Sequence, residues 1–238
     1  MLRHSGTIDT RHRLLAVESL LLALLLVLTP LVVSAGEITG HVEILRGGAS
    51  NQGSVSPYAR SRHVGEVHAA MPQADDVILA VVYLDEHPNL PTQAPPDLHP
   101  KMNQIEMTIV PHIIPIQVGT TVDFPNSDNV YHNLFSLSPT RKFDLGRYGQ
   151  GDSKSETFKK VGEIRVYCDI HPHMNGVILV LPNAYFAEVH GDGRYTLSDV
   201  PPGHYTIHAW HESLNEQIRE VTVPDSGDVT LDFVLGIQ

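Results

Sequence analysis

The stretch Val166-Tyr167-Cys168-Asp169-Ile170-His171-Pro172-His173-Met174 decides how this chain is interpreted. It begins in a β-strand pattern and ends in a tight loop that Pro172 stiffens by fixing its own φ angle. The spacing Cys-x2-His-x2-Met places a thiolate, an imidazole and a thioether on one loop. Soft sulfur and neutral imidazole suit copper. The stretch therefore predicts a metal site at the end of a strand.

A loop of this length cannot supply all four corners of a site, so a further ligand must come from elsewhere. His132, in Asn129-Val130-Tyr131-His132-Asn133-Leu134, is suited to that role. One thiolate, two imidazoles and a thioether form the ligand set of a mononuclear copper site that transfers electrons. The predicted metal ligands are His132, Cys168, His171 and Met174. Zinc is the competing metal, although structural zinc sites usually combine several Cys or His ligands without a Met.

The N-terminus predicts export. Basic residues precede an apolar run from Leu20 to Val33, and the small residues Val33-Ser34-Ala35 follow it. This pattern is typical of a signal peptide over residues 1–35, and an uncleaved membrane anchor is the alternative. We expect a periplasmic or otherwise exported protein. Its only cysteine, Cys168, cannot form an internal disulfide there, so the thiol either binds a metal or is a buried, inert side chain.

After residue 36 the sequence predicts strands and almost no helix. Strand patterns alternate with turn signals such as Gly191-Asp192-Gly193 and Pro201-Pro202-Gly203. Many short strands at this spacing predict an all-β sandwich. The predicted strands are Glu37–Leu45, Asp76–Leu84, Gln104–Ile109, Ile114–Phe124, Ser155–Phe158, Glu163–Cys168, Gly176–Leu181, Arg194–Ser198, Gly203–Trp210, Ile218–Val223 and Val229–Val234.

The segment from about Gln104 to Pro182 resembles a cupredoxin. It is similar to plastocyanin and, in the length of its ligand loop, more similar to amicyanin. The resemblance rests on residues 116–126 (IQVGTTVDFPN), on His132-Asn133 and on residues 168–174. It implies a Greek-key sandwich over residues 101–183 that binds one copper ion, with His132, Cys168 and His171 equatorial and Met174 a weak axial ligand. It also implies that Asn133 ties the two ligand loops together.

The tail of the chain resembles a second family, the carboxypeptidase regulatory-like β domain of the prealbumin type. The resemblance rests on residues 191–197 (GDGRYTL) and 200–205 (VPPGHY). It implies a small structural β-sandwich with no catalytic residues. Such domains begin with strands like those in residues 36–90, so we predict that the cupredoxin is inserted between residues 36–90 and 184–238. The alternative is that the N-terminal strands enlarge the cupredoxin sheet.

These features predict an electron-transfer protein that serves a redox partner and is not an enzyme. A copper carrier or assembly factor, and a non-catalytic cell-envelope interaction module, are the alternatives. The formal net charge of -11 argues against nucleic acid as a partner, because phosphates would repel an acidic surface. We expect no stable membrane span once the leader is cleaved. A second metal site at His204 and His208 is less expected than a solvated sheet face.

Overall fold

The computed structural model describes residues 35–45 and 78–236. The regular secondary structure in those ranges consists of strands alone. The prediction of an all-β fold is confirmed. No helix in these ranges is long and apolar enough to cross a membrane. The predicted leader lies outside the described residues, apart from Ala35. The strands are β1 Gly36–Leu45, β2 Ala80–Leu84, β3 Asn103–Ile105, β4 Thr108–Val110, β5 Ile113–Gln117, β6 Thr121–Pro125, β7 Leu134–Ser136, β8 Phe143–Asp144, β9 Ser153–Thr157, β10 Gly162–Cys168, β11 Asn175–Leu181, β12 Phe186–Val189, β13 Arg194–Val200, β14 Gly203–Trp210, β15 Gln217–Val223, β16 Val229–Thr230 and β17 Phe233–Gly236.

Strands β3 to β11 form one part of the molecule, called here the central sandwich. One sheet has the order β5-β11-β10-β7-β8, and the pairs β6-β9 and β3-β4 form smaller sheets. Strand β6 alternates half-buried and buried residues, which sends Val122 and Phe124 into the core. There they join Ile164 and Val166 of β10 and Ile178 of β11. The central core therefore forms directly behind the strand that ends at Cys168.

Strands β1, β2 and β12 to β17 form a second part, called here the flanking sandwich. One sheet has β1 between β13 and the short strands β16 and β17, and the other has the order β12-β2-β14-β15. Their facing sides enclose a separate apolar core that includes Ile38, Leu84, Tyr205 and Phe233. Strands β1 and β2 thus pair with strands that follow the central sandwich. The domain boundaries at residues 90, 101 and 183 stay a prediction.

Strand β11 is buried on both faces, which explains its unbroken apolar run. Ile178 and Val180 point into the central core. Val177 and Leu179 point the other way, into a junction core where they meet Trp210 of β14. Burying one such aliphatic side chain contributes about 1.5–3 kcal/mol. The strand that begins directly after Met174 is therefore held between two cores.

Among the strands predicted as continuous, two are split at residues with positive φ angles. The predicted strand 104–109 forms the hairpin β3-β4, because Glu106 and Met107 adopt positive φ angles of 52° and 55°. The predicted strand 114–124 is divided into β5 and β6 at Gly119, where φ is 94°. Glycine favours such a turn, but Glu and Met do not. The second break is therefore marked in the sequence, and the first is not.

Candidate metal centre

The loop after β10 is closed by its own backbone. The Cys168 amide donates to the Met174 carbonyl at 3.1 Å, and the Met174 amide donates to the His171 carbonyl at 3.0 Å. Met174 is 1% exposed and lies in the same apolar cluster as Cys168. These bonds return the chain to β11 after one tight turn. Three of the four predicted ligands are thereby fixed on one short loop.

His132 is brought to this loop from the segment between β6 and β7. Its amide donates to the Tyr148 carbonyl at 3.2 Å, and the Tyr148 amide donates to the His132 carbonyl at 3.0 Å. Strand β7 then pairs with β10, with Leu134 opposite Cys168. The register of β7 on β10 therefore places His132 beside the cysteine, with its side chain fully buried.

Three donor atoms form a compact triangle. The distance is 3.0 Å between the Nδ1 atoms of His132 and His171, and Cys168 Sγ lies 3.7 Å from the first and 3.8 Å from the second. Metal bonds to nitrogen and sulfur are about 2.0 and 2.3 Å long. Each separation is shorter than the sum of the two corresponding bonds, so one ion can reach all three atoms. The donor set fits a single soft metal ion.

The two imidazoles differ in their access to solvent. His132 is completely buried, whereas His171 is partly exposed and lines a groove of about 480 Å³. Val130, Tyr131, Arg147 and Ile170 form the rest of this groove. His173 is exposed on the same loop, with its ring centre 6.2 Å from that of His171. His171 is therefore the predicted ligand that reaches the surface.

Asp128 is a site residue that sequence reasoning missed. Its Oδ2 lies 2.9 Å from Nε2 of His132, the ring nitrogen that faces away from the cysteine. Burial alone would raise the pKa of Asp128, but hydrogen bonds from the amides of Met107 and Glu106 and from His132 lower the pKa below its usual value. The carboxyl is thus ionised and can only accept. Its four-residue spacing from His132 was the available signal, but Asn-Ser-Asp reads as turn chemistry.

Gln104 and Tyr148 form a buried polar pair next to the His132 segment. Gln104 is fully buried and donates from Nε2 to the Tyr148 hydroxyl at 2.6 Å and to the Pro125 carbonyl at 3.0 Å. Burial raises the pKa of Tyr148 well above its usual value, so the phenol stays protonated. Tyr148 is therefore an uncharged hydrogen-bond partner of Gln104, and its backbone pairs with that of His132.

The expected role of Asn133 is carried by its main chain. The Asp169 amide donates to the Asn133 carbonyl at 3.0 Å, which links the His132 segment to the cysteine loop. The Oδ1 atom of the Asn133 side chain is buried and accepts no hydrogen bond from the residues that the structure describes. The link between the ligand loops therefore does not require an asparagine side chain.

The histidines of β14 occupy different surroundings. His204 bonds Thr222 at 2.7 Å, and His208 bonds Glu216 at 3.0 Å. Within residues 35–45 and 78–236, the cluster of three or more His, Cys, Asp or Glu side chains close enough to hold a metal is the one at His132, Cys168 and His171. The second metal site considered from the sequence is not formed by His204 and His208.

Comparison with known proteins gives partial structural likenesses. No family model matches the chain, and no curated protein matches it. A copper-containing nitrite reductase from Thermus scotoductus SA-01 is 30% identical over 35% of this chain and 22% of its own length, with a TM-score of 0.34. A purple cupredoxin from Nitrosopumilus maritimus is 27% identical over 34% of this chain and 98% of its own, with a TM-score of 0.32.

A reduced amicyanin mutant is 22% identical over 38% of this chain and 94% of its own, with a TM-score of 0.33. These three neighbours are thus two cupredoxins and a copper-containing nitrite reductase. With such low TM-scores, the side chains of the site have to carry the functional conclusion.

Proposed function

We propose that this protein is an electron carrier that holds one copper ion at His132, Cys168, His171 and Met174. The observation that carries the proposal is the buried triangle of one sulfur and two imidazole nitrogens, with sides of 3.0, 3.7 and 3.8 Å. Thiolate and imidazole bind copper in both of its common oxidation states. A bound copper ion supplies one-electron redox chemistry. Zinc is less well supported, because a thioether is not one of its usual ligands.

The chain itself supplies a dry and rigid cage. Cys168 is 4% exposed and His132 is fully buried, so water is excluded from the inner side of the triangle. Backbone hydrogen bonds fix Cys168 to Met174 and Asp169 to Asn133. A cage fixed in this way changes little between oxidation states, which keeps the reorganisation small during electron transfer.

His171 and the groove beside it provide the contact with a redox partner. Val130, Tyr131 and Ile170 present an apolar rim, and Arg147 adds a positive charge to it. A partner that packs on this rim would bring its own redox centre close to the His171 ring. We assign no catalysis to the site, because the buried Cys168 offers a substrate no access. The leader pattern in residues 1–35 supports export to the periplasm or beyond.

A copper carrier is the second candidate, and the position of His173 favours it. This exposed imidazole lies two residues after His171, with ring centres 6.2 Å apart. An exposed donor beside a partly exposed ligand offers an exit route in which the metal is handed from one imidazole to the next. The two candidates differ in whether electrons or metal leave the site.

The visible spectrum of the copper-loaded protein tests the proposal. We expect Cu(II) to give an intense thiolate-to-metal charge-transfer band in the wild type, and Cys168→Ser to lose that band because the sulfur ligand is gone. His173→Gln is the matched control, since it changes the same loop outside the triangle. The control should keep the band.

Other outcomes separate the alternatives. A colourless protein that still binds copper, and that transfers Cu(I) to a chelator more slowly as His173→Gln, would replace the electron carrier with the metal carrier. A wild-type protein that binds no copper would refute both and leave an interaction module. A band that persists in Cys168→Ser would show that the proposed ligand set is wrong.

A further inference from the structure

One carboxylate joins the His132 ring to a neighbouring hairpin. Asp128 Oδ2 lies 2.9 Å from His132 Nε2 and also accepts from the Met107 amide at 2.9 Å. Its Oδ1 accepts from the Glu106 amide at 2.6 Å. The Asp128 side chain is 12% exposed, and its own amide donates to Asn126 Oδ1 at 2.9 Å. The carboxylate is therefore held by three donors and cannot turn without breaking one of these bonds.

The hairpin turn at Glu106 and Met107 has an unfavourable backbone conformation that needs stabilisation. Glu106 and Met107 have φ angles of 52° and 55°, a left-handed conformation that such side chains rarely adopt. Turns of this kind normally use Asn-Gly. The two charge-assisted hydrogen bonds that Asp128 accepts from the Glu106 and Met107 amides offset the strain. The hairpin and the His132 ring are thus ordered by the same group.

The ring half of the arrangement decides which nitrogen is free. Both oxygens of Asp128 already accept from backbone amides, at 2.6 and 2.9 Å, so the side chain faces His132 as an acceptor and the bond places a proton on Nε2 of His132. The neutral ring then has its lone pair on Nδ1. That atom is the one that lies 3.0 Å from His171 Nδ1 and 3.7 Å from Cys168 Sγ. The hydrogen bond selects the tautomer that the donor triangle needs.

We propose that Asp128 is a positioning residue that holds His132 in the Nε2–H form and directs its Nδ1 lone pair at the metal position. This inference rests on the proposed function, because it assigns Asp128 a role in the same site. A carboxylate partner also makes the imidazole a stronger electron donor, which favours Cu(II) over Cu(I). Loss of Asp128 should therefore weaken Cu(II) binding and raise the reduction potential.

The isosteric variant Asp128→Asn tests the tautomer directly in the copper-free protein. An asparagine cannot accept from all three donors, because whichever way it sits its NH2 group faces a donor. We expect the ¹⁵N chemical shifts of the His132 ring, measured by NMR, to show the Nε2–H form in the wild type and a mixture of forms in the variant. An unchanged tautomer would overturn the inference, whether or not the protein binds copper.

Copper binding then gives the size of the effect. Removal of an outer partner of a metal-binding histidine typically lowers affinity by about 10- to 100-fold, and we expect that loss for Cu(II) in Asp128→Asn, together with a higher reduction potential. Asp169→Asn is the matched control, since it removes an equal charge from an exposed residue next to Cys168. Equal shifts in both variants would show that charge alone acts, which would contradict a positioning role.

A second background separates positioning from folding. The double variant Glu106→Asn/Met107→Gly gives the hairpin a turn that needs no carboxylate, so Asp128→Asn can be made in it without loss of the hairpin. The tautomer change and the affinity loss should persist there. Full recovery of both would mean that Asp128 only supports the hairpin, and the inference would be wrong. A wild-type protein that binds no copper would instead refute the proposed function.

Discussion

Two histidine–carboxylate pairs, one in each sandwich, differ in what meets the second ring nitrogen. In the central sandwich, His132 has Nε2 2.9 Å from Asp128 and Nδ1 3.7 Å from Cys168 Sγ. In the flanking sandwich, His208 has Nδ1 3.0 Å from Glu216 and Nε2 3.8 Å from the carboxylate of Asp85. The carboxylate partner is common to both pairs, and the opposite neighbour is not.

The opposite neighbours differ in charge and in what they can bind. Carboxylates on both sides of His208 stabilise an imidazolium, and the pKa of His208 is raised chiefly by its hydrogen bond to Glu216. His132 instead has its other ring nitrogen next to a sulfur and a second imidazole nitrogen, both of which are metal-binding atoms. A buried histidine with a carboxylate partner is therefore evidence for a metal site only when its other nitrogen faces further ligands.

The largest expected effect on copper binding comes from replacing the proposed ligand His132, and His208 provides the comparison. We expect His132→Gln to lower Cu(II) affinity by more than about 100-fold, the upper range for loss of an outer partner alone. His208→Gln removes a histidine with the same kind of partner and should leave the affinity unchanged. Competition with a copper chelator measures both. Similar losses in the two variants would mean that copper binds away from the triangle.

A second prediction concerns stability and tests whether the two pairs belong to one folding unit. Trp210 is 8% exposed in the junction core, two residues after His208. Replacing a buried Trp by Ala typically costs about 3–5 kcal/mol, so Trp210→Ala should lower the free energy of unfolding by that amount.

The exposed Ile218→Ala on neighbouring β15 is the control and should change stability by less than about 0.5 kcal/mol. We expect one cooperative unfolding transition in denaturant for both variants. Far-UV circular dichroism measures it, because this signal does not depend on the tryptophan that Trp210→Ala removes. Two separate transitions in Trp210→Ala would show that the junction alone couples the sandwiches.

The smallest expected effect concerns pH. The His208 pKa is raised, so its contribution to stability is complete below its usual value of 6.5 and is lost as pH rises through the folded value. The Glu216 pKa is lowered, chiefly by His208, so its contribution is present above its usual value of 4.5 and is lost as pH falls through the folded value. The pair therefore stabilises the fold most between these two values.

His208→Gln should remove this pH dependence. The gain in unfolding free energy at about pH 5.5 relative to about pH 8.5 should shrink by less than about 1 kcal/mol, because the pair is partly exposed. His204→Gln, on the same strand but bonded to Thr222, should keep the wild-type profile. An identical profile in His208→Gln would show that other groups cause the dependence.

Local patterns in the sequence predicted the parts of the fold that depend on local chemistry. The strand Gly203–Trp210 has the predicted bounds, because a Pro-Pro-Gly turn precedes a clear run of strand residues. Strands β7 and β8, of three and two residues, were missed because such short segments show no periodicity. The predicted strand 229–234 is likewise divided between β16 and β17.

The sequence predicts best the part of the site that depends on residue spacing within one loop. The parts that come together through strand pairing are harder to predict. Cys168 and His171 share a tight loop, and only the pairing of β7 with β10 brings His132 to them. Asp128 was not predicted, because its role depends on a hairpin turn at Glu106 and Met107 that has no sequence signal. The identity of the metal stays a prediction.

The chain enters and leaves the central sandwich at neighbouring positions, because the strand before it, β2, pairs with the strand after it, β12. Tyr83 in β2 is paired with Phe186 in β12, and Asn183 Nδ2 donates to the carbonyls of Leu84 and Asp85 at 3.1 and 3.2 Å. To the flanking sandwich, residues 85–185 are therefore a single long hairpin loop whose ends are already closed. Loop-closure entropy grows only slowly with length, so the host strands tolerate an insert of this size at small cost. In the folded protein, the two hydrogen bonds of Asn183 join the ends of this segment, so the ends cannot separate locally unless these bonds break.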